Sequence, residues 1–388
     1  MIRFGSIFSQ LLKIFDRNAF ERAVRQHHAE KASKGFTCWE QFVAMMFCQL
    51  AQAHSLREIC GGLAGCLGKL KHLGVPQAPA KSTLSYANEH RPWELYQTVF
   101  YQLLTQSPRF IRGNQKFRFK NKLYSLDATV IDLCLSLFPW AKFRQTKGAV
   151  KLHCLLDHEG YLPVFAHITE GHRHEIHTAR TLVLPPGSII AMDRGYNDYK
   201  LFGVWTEKDL YFVTRLKDNA EYAVVENRPV GASPGVLADQ EIILTGAGAN
   251  DKCSFSLRRV EFWDAEKKEV LVFLTNHMTF APSTIAAIYK ERWQIEIFFK
   301  ALKQNLKIKT FVGTSANALK TQIWIALIAI LLLKFLQHRS QFNWSLSHLM
   351  ALLHWNLFIY RDLWAWLDQP FEAPPPAPWA QQLSFAFV

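Results

Sequence analysis

The sequence lacks any cysteine pair of the C-x-x-C type, and its number of cysteines is odd. Both features argue against a zinc finger and against a disulfide framework, since each needs paired cysteines. We therefore expect reduced, mostly buried thiols of a cytosolic protein at the seven positions, which are Cys38, Cys48, Cys60, Cys66, Cys134, Cys154 and Cys253.

Long apolar stretches and internal repeats are also missing. Charged residues interrupt the first twenty positions, so no signal peptide is expected. The most apolar run, from Ile323 to Leu333, has eleven residues and ends at Lys334, which is too short to span a bilayer. We expect this run to be a core helix. The protein is then expected to have no membrane partner and to be cytoplasmic.

Acidic residues are scarce relative to basic ones. The chain has 45 Lys and Arg against 32 Asp and Glu, which makes a formal net charge of +13 and a pI of about 9.4. Residues 1–122 contain 18 Lys and Arg against 7 Asp and Glu, so +11 of that charge lies in the first third. This imbalance favours a polyanionic partner, and its position favours a basic module at the beginning of the chain.

The hydrophobic pattern divides the chain into helical and sheet-forming parts. Residues from about 8 to 106 have helical periods, with a capping box at Thr37 and Glu40 before CWEQFVAMMFCQLAQ. After residue 117, KLYSLDATVIDL, AVKLHCLLD and LPVFAHITEG predict three antiparallel strands, and SIIAMD and LYFVTRLK predict two more, each after a helix. The order βββ-α-β-α-β is that of the RNase H-like fold.

We therefore predict an α/β protein with four parts. Residues 1–115 form a helical, basic DNA-binding domain; a merely basic structural domain is the alternative, because no helix-turn-helix register is clear. An RNase H-like catalytic core occupies 116–217 and 284–340, and an all-β insertion occupies 218–283. The C-terminal tail, 341–388, is helical and then Pro-rich.

Three carboxylates converge in such a fold. Asp127 lies midway along the first strand, Asp193 ends the fourth strand beside it, and Glu296 lies on a helix flanking the sheet. Without a cation they would repel one another, and one or more would take up a proton. Two Mg²⁺ ions about 3.5–4 Å apart would instead make a phosphodiester-cleaving centre, with Mn²⁺ as a substitute. Asp132 competes for the first position but points to the opposite face, and Asp198 is a cap-like alternative to Asp193.

The helix predicted at 289–303, YKERWQIEIFFKALK, has an unusual charge distribution. At about 100° per residue, Ile288, Ile295, Phe299 and Leu302 form a buried stripe. Tyr289, Arg292, Glu296 and Lys303 fall in the sector immediately beside that stripe instead of opposite it. A surface Arg292–Glu296 pair at i,i+4 is the alternative to a functional role.

The motif Tyr289-x2-Arg292-x3-Glu296-x6-Lys303 resembles the Y-R-E-K signature of DDE transposases of the insertion-sequence four type. LDAT at 126–129 and MDRGYND at 192–198 resemble the first and second Asp motifs of that family. A β-rich insertion before the glutamate is also typical of the group; here Glu296 lies 103 residues after Asp193. The resemblance covers roughly 120–335, and the helical amino-terminal part resembles such transposases more loosely.

The resemblance implies a transposase that binds the terminal inverted repeats of an insertion sequence, cleaves its ends and joins the 3′-hydroxyls to target DNA, as a homodimer in the synaptic complex. Asp127, Asp193 and Glu296 would be the catalytic metal ligands. DNA would contact Arg292, Lys303 and Tyr289, with further contacts from Trp293, Lys300 and Arg194. Trp293 would stack on a flipped base, and packing against the insertion is its alternative. A DNA-binding protein without activity and an RNase H-like nuclease without strand transfer are the rival functions.

The segment GHRHEIHTA contains His172, His174 and His177, which suggests a zinc site. No cysteine pair and no H-E-x-x-H motif accompanies them, so helix-start or DNA-facing roles are favoured. Glu175 stands where the family has Asp, which leaves its role open.

Overall fold

A computed structural model describes residues 4–372 except 32, 34, 67, 107–116, 118, 145–146, 231–233, 247 and 309. The predicted domain boundary at residues 115 and 116 and the Pro-rich end of the predicted tail, 373–388, lie outside the described residues.

The first part of the chain is helical, and side chains begin its helices. Thr37 and Glu40 form the predicted capping box, and the Ser55 hydroxyl accepts a hydrogen bond from the Glu58 N–H at 3.2 Å. Both contacts satisfy backbone donors that would otherwise be unpaired in the first turn. The helices are α1 Ile7–Leu12, α2 Arg17–Gln26, α3 Cys38–Leu50, α4 Leu56–Ala64, α5 Lys81–His90 and α6 Glu94–Gln106.

A mixed sheet follows, with ten strands in the described part of the chain. The strands are β1 Leu123–Leu133, β2 Lys142–Arg144, β3 Lys147–Asp157, β4 Leu162–Glu170, β5 Ile189–Met192, β6 Tyr211–Arg215, β7 Tyr222–Asn227, β8 Val236–Leu244, β9 Leu257–Asp264 and β10 Glu269–Thr275. The short helices α7 Ile176–Ala179, α8 Tyr199–Glu207 and α9 Ala249–Lys252 lie between strands.

The first half of the sheet has the spatial order β4-β3-β1-β5-β6, with β2 beside the first residues of β3. β1 is antiparallel to β3 and parallel to β5, and β5 is parallel to β6. The chain thus makes three antiparallel strands and then α-β-α-β, the succession that the hydrophobic pattern predicts. Leu126 of β1 is in register with Met192 of β5. The next residues, Asp127 and Asp193, therefore lie side by side.

The segment predicted as an insertion continues this sheet. β10 pairs with β6, and β9, β8 and β7 follow in order, while the short helix α9 lies between β8 and β9. A strand such as β6 would otherwise expose a row of unpaired backbone groups, and β10 covers that edge. The segment therefore shares one sheet with the strands before it.

The helices after the sheet are α10 Pro282–Glu291, α11 Trp293–Asn305, α12 Ala316–Arg339, α13 Leu346–Asn356 and α14 Leu363–Asp368. The single helix predicted at 289–303 is interrupted at Arg292, where the backbone N–H groups of Arg292 and Ile295 donate to carbonyls three residues earlier, at 3.1 Å each. Such tighter turns break an α-helix without reversing it. Ile288, Ile295, Phe299 and Leu302 are buried, as their spacing predicts.

Helix α12 contains the apolar run that the sequence analysis judged too short to span a bilayer. It has 24 residues and is long and apolar enough to cross a membrane by those criteria, but 89% of its most apolar window is buried inside the protein. α3, α5, α6 and α13 pack around it, and its side chains share one hydrophobic core with one face of the sheet. It is therefore the predicted core helix because of its surroundings, and the inference that it is too short was wrong.

Candidate active site

The structure brings the three predicted carboxylates near one another beside β1 and β5. Asp127 is the fifth residue of β1, Asp193 directly follows β5, and Glu296 lies in the first turn of α11, which packs against β1. Asp193 and Glu296 both act electrostatically on Asp127. Residues that are distant in the sequence therefore share one electrostatic environment.

Arg292 lies between two of these carboxylates. Its Nη1 donates to Asp127 Oδ2 at 3.0 Å, and its Nη2 donates to Glu296 Oε1 at 2.8 Å. The Arg292 side chain is 12% exposed, so these charge-assisted bonds are shielded from solvent. The surface i,i+4 pair considered above is thus present, but it is largely buried and it includes a third partner from β1.

The pKa of Asp127 shows the cost of burying a carboxylate here. This pKa is raised to about 6, chiefly by burial and to a smaller extent by Asp193 and Glu296. Arg292 and the backbone N–H of Ala128, at 2.8 Å, act in the opposite direction. The net positive shift means that the nearby guanidinium does not fully compensate the ionised carboxylate.

Replacing Asp127 with asparagine is expected to stabilise the metal-free protein at pH 7. An acidic group whose pKa is higher in the folded state than in the unfolded state stabilises the fold at pH values below its unfolded-state pKa. That contribution is lost as the pH rises through its folded-state pKa. The change from 3.8 to about 6 corresponds to roughly 3 kcal/mol. Denaturant unfolding in EDTA should show a gain for Asp127→Asn at pH 7 that vanishes below pH 4; identical pH profiles for both proteins would contradict it.

A backbone N–H in the turn after β5 fixes the side chain of Asp193. Asp193 Oδ1 accepts a hydrogen bond from the Gly195 N–H at 3.0 Å, while Arg194 pairs with Asp218 at 3.3 Å on the surface. Asp193, Arg194 and Asp218 line an open cleft. Asp198, the alternative to Asp193, accepts from the Leu201 N–H and begins α8. Asp132, the alternative to Asp127, is exposed near the far end of β1.

The other predicted DNA contacts differ in their exposure and in their present partners. Lys303 Nζ donates to the carbonyl of Val130 at 2.9 Å, and exposed Lys300 lines an open groove with Asp127 and Glu296. Tyr289 packs on Phe273 with ring centroids 5.0 Å apart. Trp293 is 56% exposed.

The histidine segment forms no compact ligand set in the described part of the chain. His172 pairs with Glu170 at 3.4 Å, and His174 Nδ1 accepts from the Ile176 N–H at the start of α7. Glu175, whose role the sequence left open, pairs with Lys151 at 3.2 Å and lies against the Gly195 turn that holds Asp193.

The chemistry of the three carboxylates suits a hard divalent cation. Mg²⁺ prefers carboxylate oxygens, which Asp127, Asp193 and Glu296 would supply. As they stand, the described residues include no group of three or more His, Cys, Asp or Glu that would hold a metal. The Arg292 guanidinium instead bonds to both Asp127 and Glu296.

Sequence reasoning missed a second polar group beside this site. Ser125, two residues before Asp127, hydrogen-bonds to His158, which lies 3.9 Å from buried Glu291. A signal was available for Glu291, because it falls three residues after Ile288 and four before Ile295 and hence on the buried stripe. Ser125 and His158 carry no comparable signal.

The chain is similar to known proteins over most of its length. Residues 118–332 match the family model described as the transposase DDE domain, and residues 5–76 match a domain of unknown function, DUF4372. A Sinorhizobium fredii protein named as the transposase y4zB is 30% identical over 85% of this chain and 93% of its own length. A Geobacillus stearothermophilus protein named as the transposase for insertion sequence element IS5377 is 30% identical over 69% of this chain and 70% of its own length.

A solved piggyBac transposase synaptic complex with hairpin DNA covers 95% of this chain and 82% of its own, with a TM-score of 0.47 and 11% identity. The family match and the relatives cover the region that contains Asp127, Asp193 and Glu296. The chain therefore belongs to the DDE transposases, a family of DNA-cleaving and strand-transferring enzymes.

Proposed function

We propose that this chain is the transposase of a bacterial insertion sequence, and that Asp127, Asp193 and Glu296 are its catalytic, metal-binding residues. The proposal rests above all on the meeting of three carboxylates: Arg292 bonds to both Asp127 and Glu296, and Asp193 acts electrostatically on Asp127. Its DNA substrates are the terminal inverted repeats of the element and a target duplex.

The chain's own residues orient the reaction. The carboxylates of Asp127 and Asp193 each accept a hydrogen bond from a backbone N–H, which fixes the position of their oxygens. Glu296 lies on the flanking helix α11. Two Mg²⁺ ions, or Mn²⁺ in their place, would activate the attacking water or 3′-hydroxyl and stabilise the leaving oxygen when bound by these carboxylates. Because Arg292 bonds to Asp127 Oδ2 and Glu296 Oε1, its positive charge would compete with a cation for these two carboxylates.

The groove beside the carboxylates suits a DNA backbone. Lys300 and Lys303 line it on α11, and Arg194 lies at the neighbouring cleft, so positive charge flanks the acidic centre. Trp293 and Ile297 are 56% and 47% exposed one helical turn apart, which offers a surface on which an unstacked base can rest. Tyr289 is the proposed hydrogen-bond donor to a phosphate oxygen.

Further parts of the proposal concern architecture. The order β4-β3-β1-β5-β6 supports an RNase H-like catalytic core at 116–217 and 284–340, with a β-rich insertion at 218–283. The helical, basic residues 1–115 would be the DNA-binding domain, followed after the core by a tail at 341–388. We propose a homodimer in the synaptic complex and a cytoplasmic, nucleoid-associated location.

The decisive experiment uses purified protein, Mn²⁺ and a duplex with the terminal repeats that flank the gene. We expect cleavage at the repeat end and joining of the new 3′-hydroxyl to a target plasmid. Binding without cleavage would favour the inactive DNA-binding protein. Cleavage without joining would favour the nuclease.

A further inference from the structure

Beside the carboxylate site lies a buried polar network that the proposed reaction does not use. Ser125 Oγ and His158 Nε2 share a hydrogen bond of 2.7 Å. His158 Nδ1 is 3.9 Å from Glu291 Oε2, and the Tyr161 hydroxyl donates to the same oxygen at 3.4 Å. The side chains of His158 and Glu291 are only 9% and 6% exposed.

The order serine, histidine, carboxylate resembles the triad of a hydrolase, but the burial excludes that role. Ser125 is fully buried on β1, so no substrate carbonyl can reach its hydroxyl. The small cleft beside the network is lined by His158, Tyr161 and Glu291 but not by Ser125. A nucleophile must be accessible to its substrate, so the network does not act by covalent catalysis.

The two ends of the network are both adjacent to the carboxylate site. Ser125 and Asp127 are separated by one residue on β1, so their side chains leave the same face of the strand. Glu291 ends α10 and directly precedes Arg292, at the interruption before α11. The network thus ties the strand that carries Asp127 to the helix break that carries Arg292 and leads into Glu296.

The break is a place where the helix direction needs support. α10 packs against β5, β6, β8 and β9, whereas α11 packs against β1, α12 and α13. The direction of α11 relative to α10 is decided at Arg292, where the hydrogen bonds switch to the three-residue spacing. A buried carboxylate anchored one residue earlier restricts that direction without touching the reacting atoms.

We propose that Ser125, His158 and Glu291 are positioning residues that set the distance of Glu296 from Asp127, and so the spacing of the two metal ions. This inference rests on the proposed metal site. Outer hydrogen-bonding partners of metal ligands typically change metal affinity or activity by about 10–100-fold when they are mutated. The network acts one step further out, through the backbone of β1 and of the α10–α11 break.

The test uses Ser125→Ala, Glu291→Gln and the double variant of the full-length chain, with Mn²⁺ as the probe. We expect each single variant to lose the spin-coupled two-Mn²⁺ electron paramagnetic resonance signal at Mn²⁺ concentrations that saturate the wild type. We also expect kcat for cleavage to fall about tenfold with an unchanged Kd for DNA. Because both side chains belong to one network, the double variant should be no worse than about tenfold.

Leu84→Ala is the matched control for lost stability, since Leu84 is fully buried in α5, away from the sheet. It should lower the melting temperature and keep the coupled signal. Single variants that melt lower but keep the coupled signal and kcat would reduce the network to a structural role. Multiplicative losses in the double variant would also overturn the proposal. A wild type without a coupled Mn²⁺ pair would instead overturn the metal site and this inference together.

Discussion

Replacing Glu296 with glutamine is expected to reduce DNA cleavage roughly a thousandfold while leaving binding to the terminal repeats within a factor of two. A carboxylate that binds a catalytic cation contributes several kcal/mol to transition-state stabilisation, and each 1.36 kcal/mol is about tenfold in rate. The amide keeps the size of the side chain, and Glu296 is 35% exposed, so the fold should tolerate it. Single-turnover cleavage and gel-shift titration measure the two effects separately.

Glu266→Gln is the matched control, because it makes the same chemical change at a side chain that is 74% exposed and pairs with Lys290. It should cleave at the wild-type rate. Asp193→Asn should reproduce the loss seen for Glu296→Gln. Cleavage by Glu296→Gln within tenfold of the wild type would remove Glu296 from the site and leave the i,i+4 pair with Arg292 as its role.

Replacing Arg292 with alanine is expected to tighten Mn²⁺ binding about tenfold in the absence of DNA. The guanidinium occupies Asp127 Oδ2 and Glu296 Oε1, so a metal ion must compete with it for both oxygens. Its removal also leaves neighbouring carboxylates without a cation, so the metal-free protein should melt at a lower temperature and gain more stability from Mn²⁺. Calorimetric titration and thermal unfolding with and without EDTA measure these effects.

The same variant decides between two roles for Arg292. If the guanidinium moves to a DNA phosphate in the complex, Arg292→Ala should reduce the salt dependence of DNA binding by about one phosphate contact. Unchanged salt dependence with tighter Mn²⁺ binding would confine Arg292 to the carboxylates. Arg292→Lys keeps the charge but not the two-pronged geometry, so it should restore the metal-free melting temperature only in part.

Local sequence patterns were sufficient where the structure depends on neighbouring residues. The capping contacts at Thr37 and Ser55 lie within four residues of their partners. Likewise, the positions of Ile295 and Glu296 around their helix follow from 100° per residue. The strand succession was also readable, because alternation and turn residues mark each strand before any packing is known.

Contacts across the chain had to come from the tertiary structure. Arg292 was predicted as a phosphate ligand from its motif, and only the packing of α11 on β1 shows that it bonds to Asp127, 165 residues away. The Ser125–His158 bond likewise joins two strand ends that no spacing rule relates. Helix α12 shows the same limit, since burial and not length distinguishes a core helix from a membrane span.

The sequence by itself therefore determined the helix starts, the order of strands and which three carboxylates to compare, because these depend on periodicity and on residue type. The tertiary structure decided that β7–β10 extend the central sheet, that Arg292 lies between two of the carboxylates, and that a buried polar network lies beside the helix break. Side-chain partners depend on how elements pack in three dimensions, and packing is a property of the whole chain.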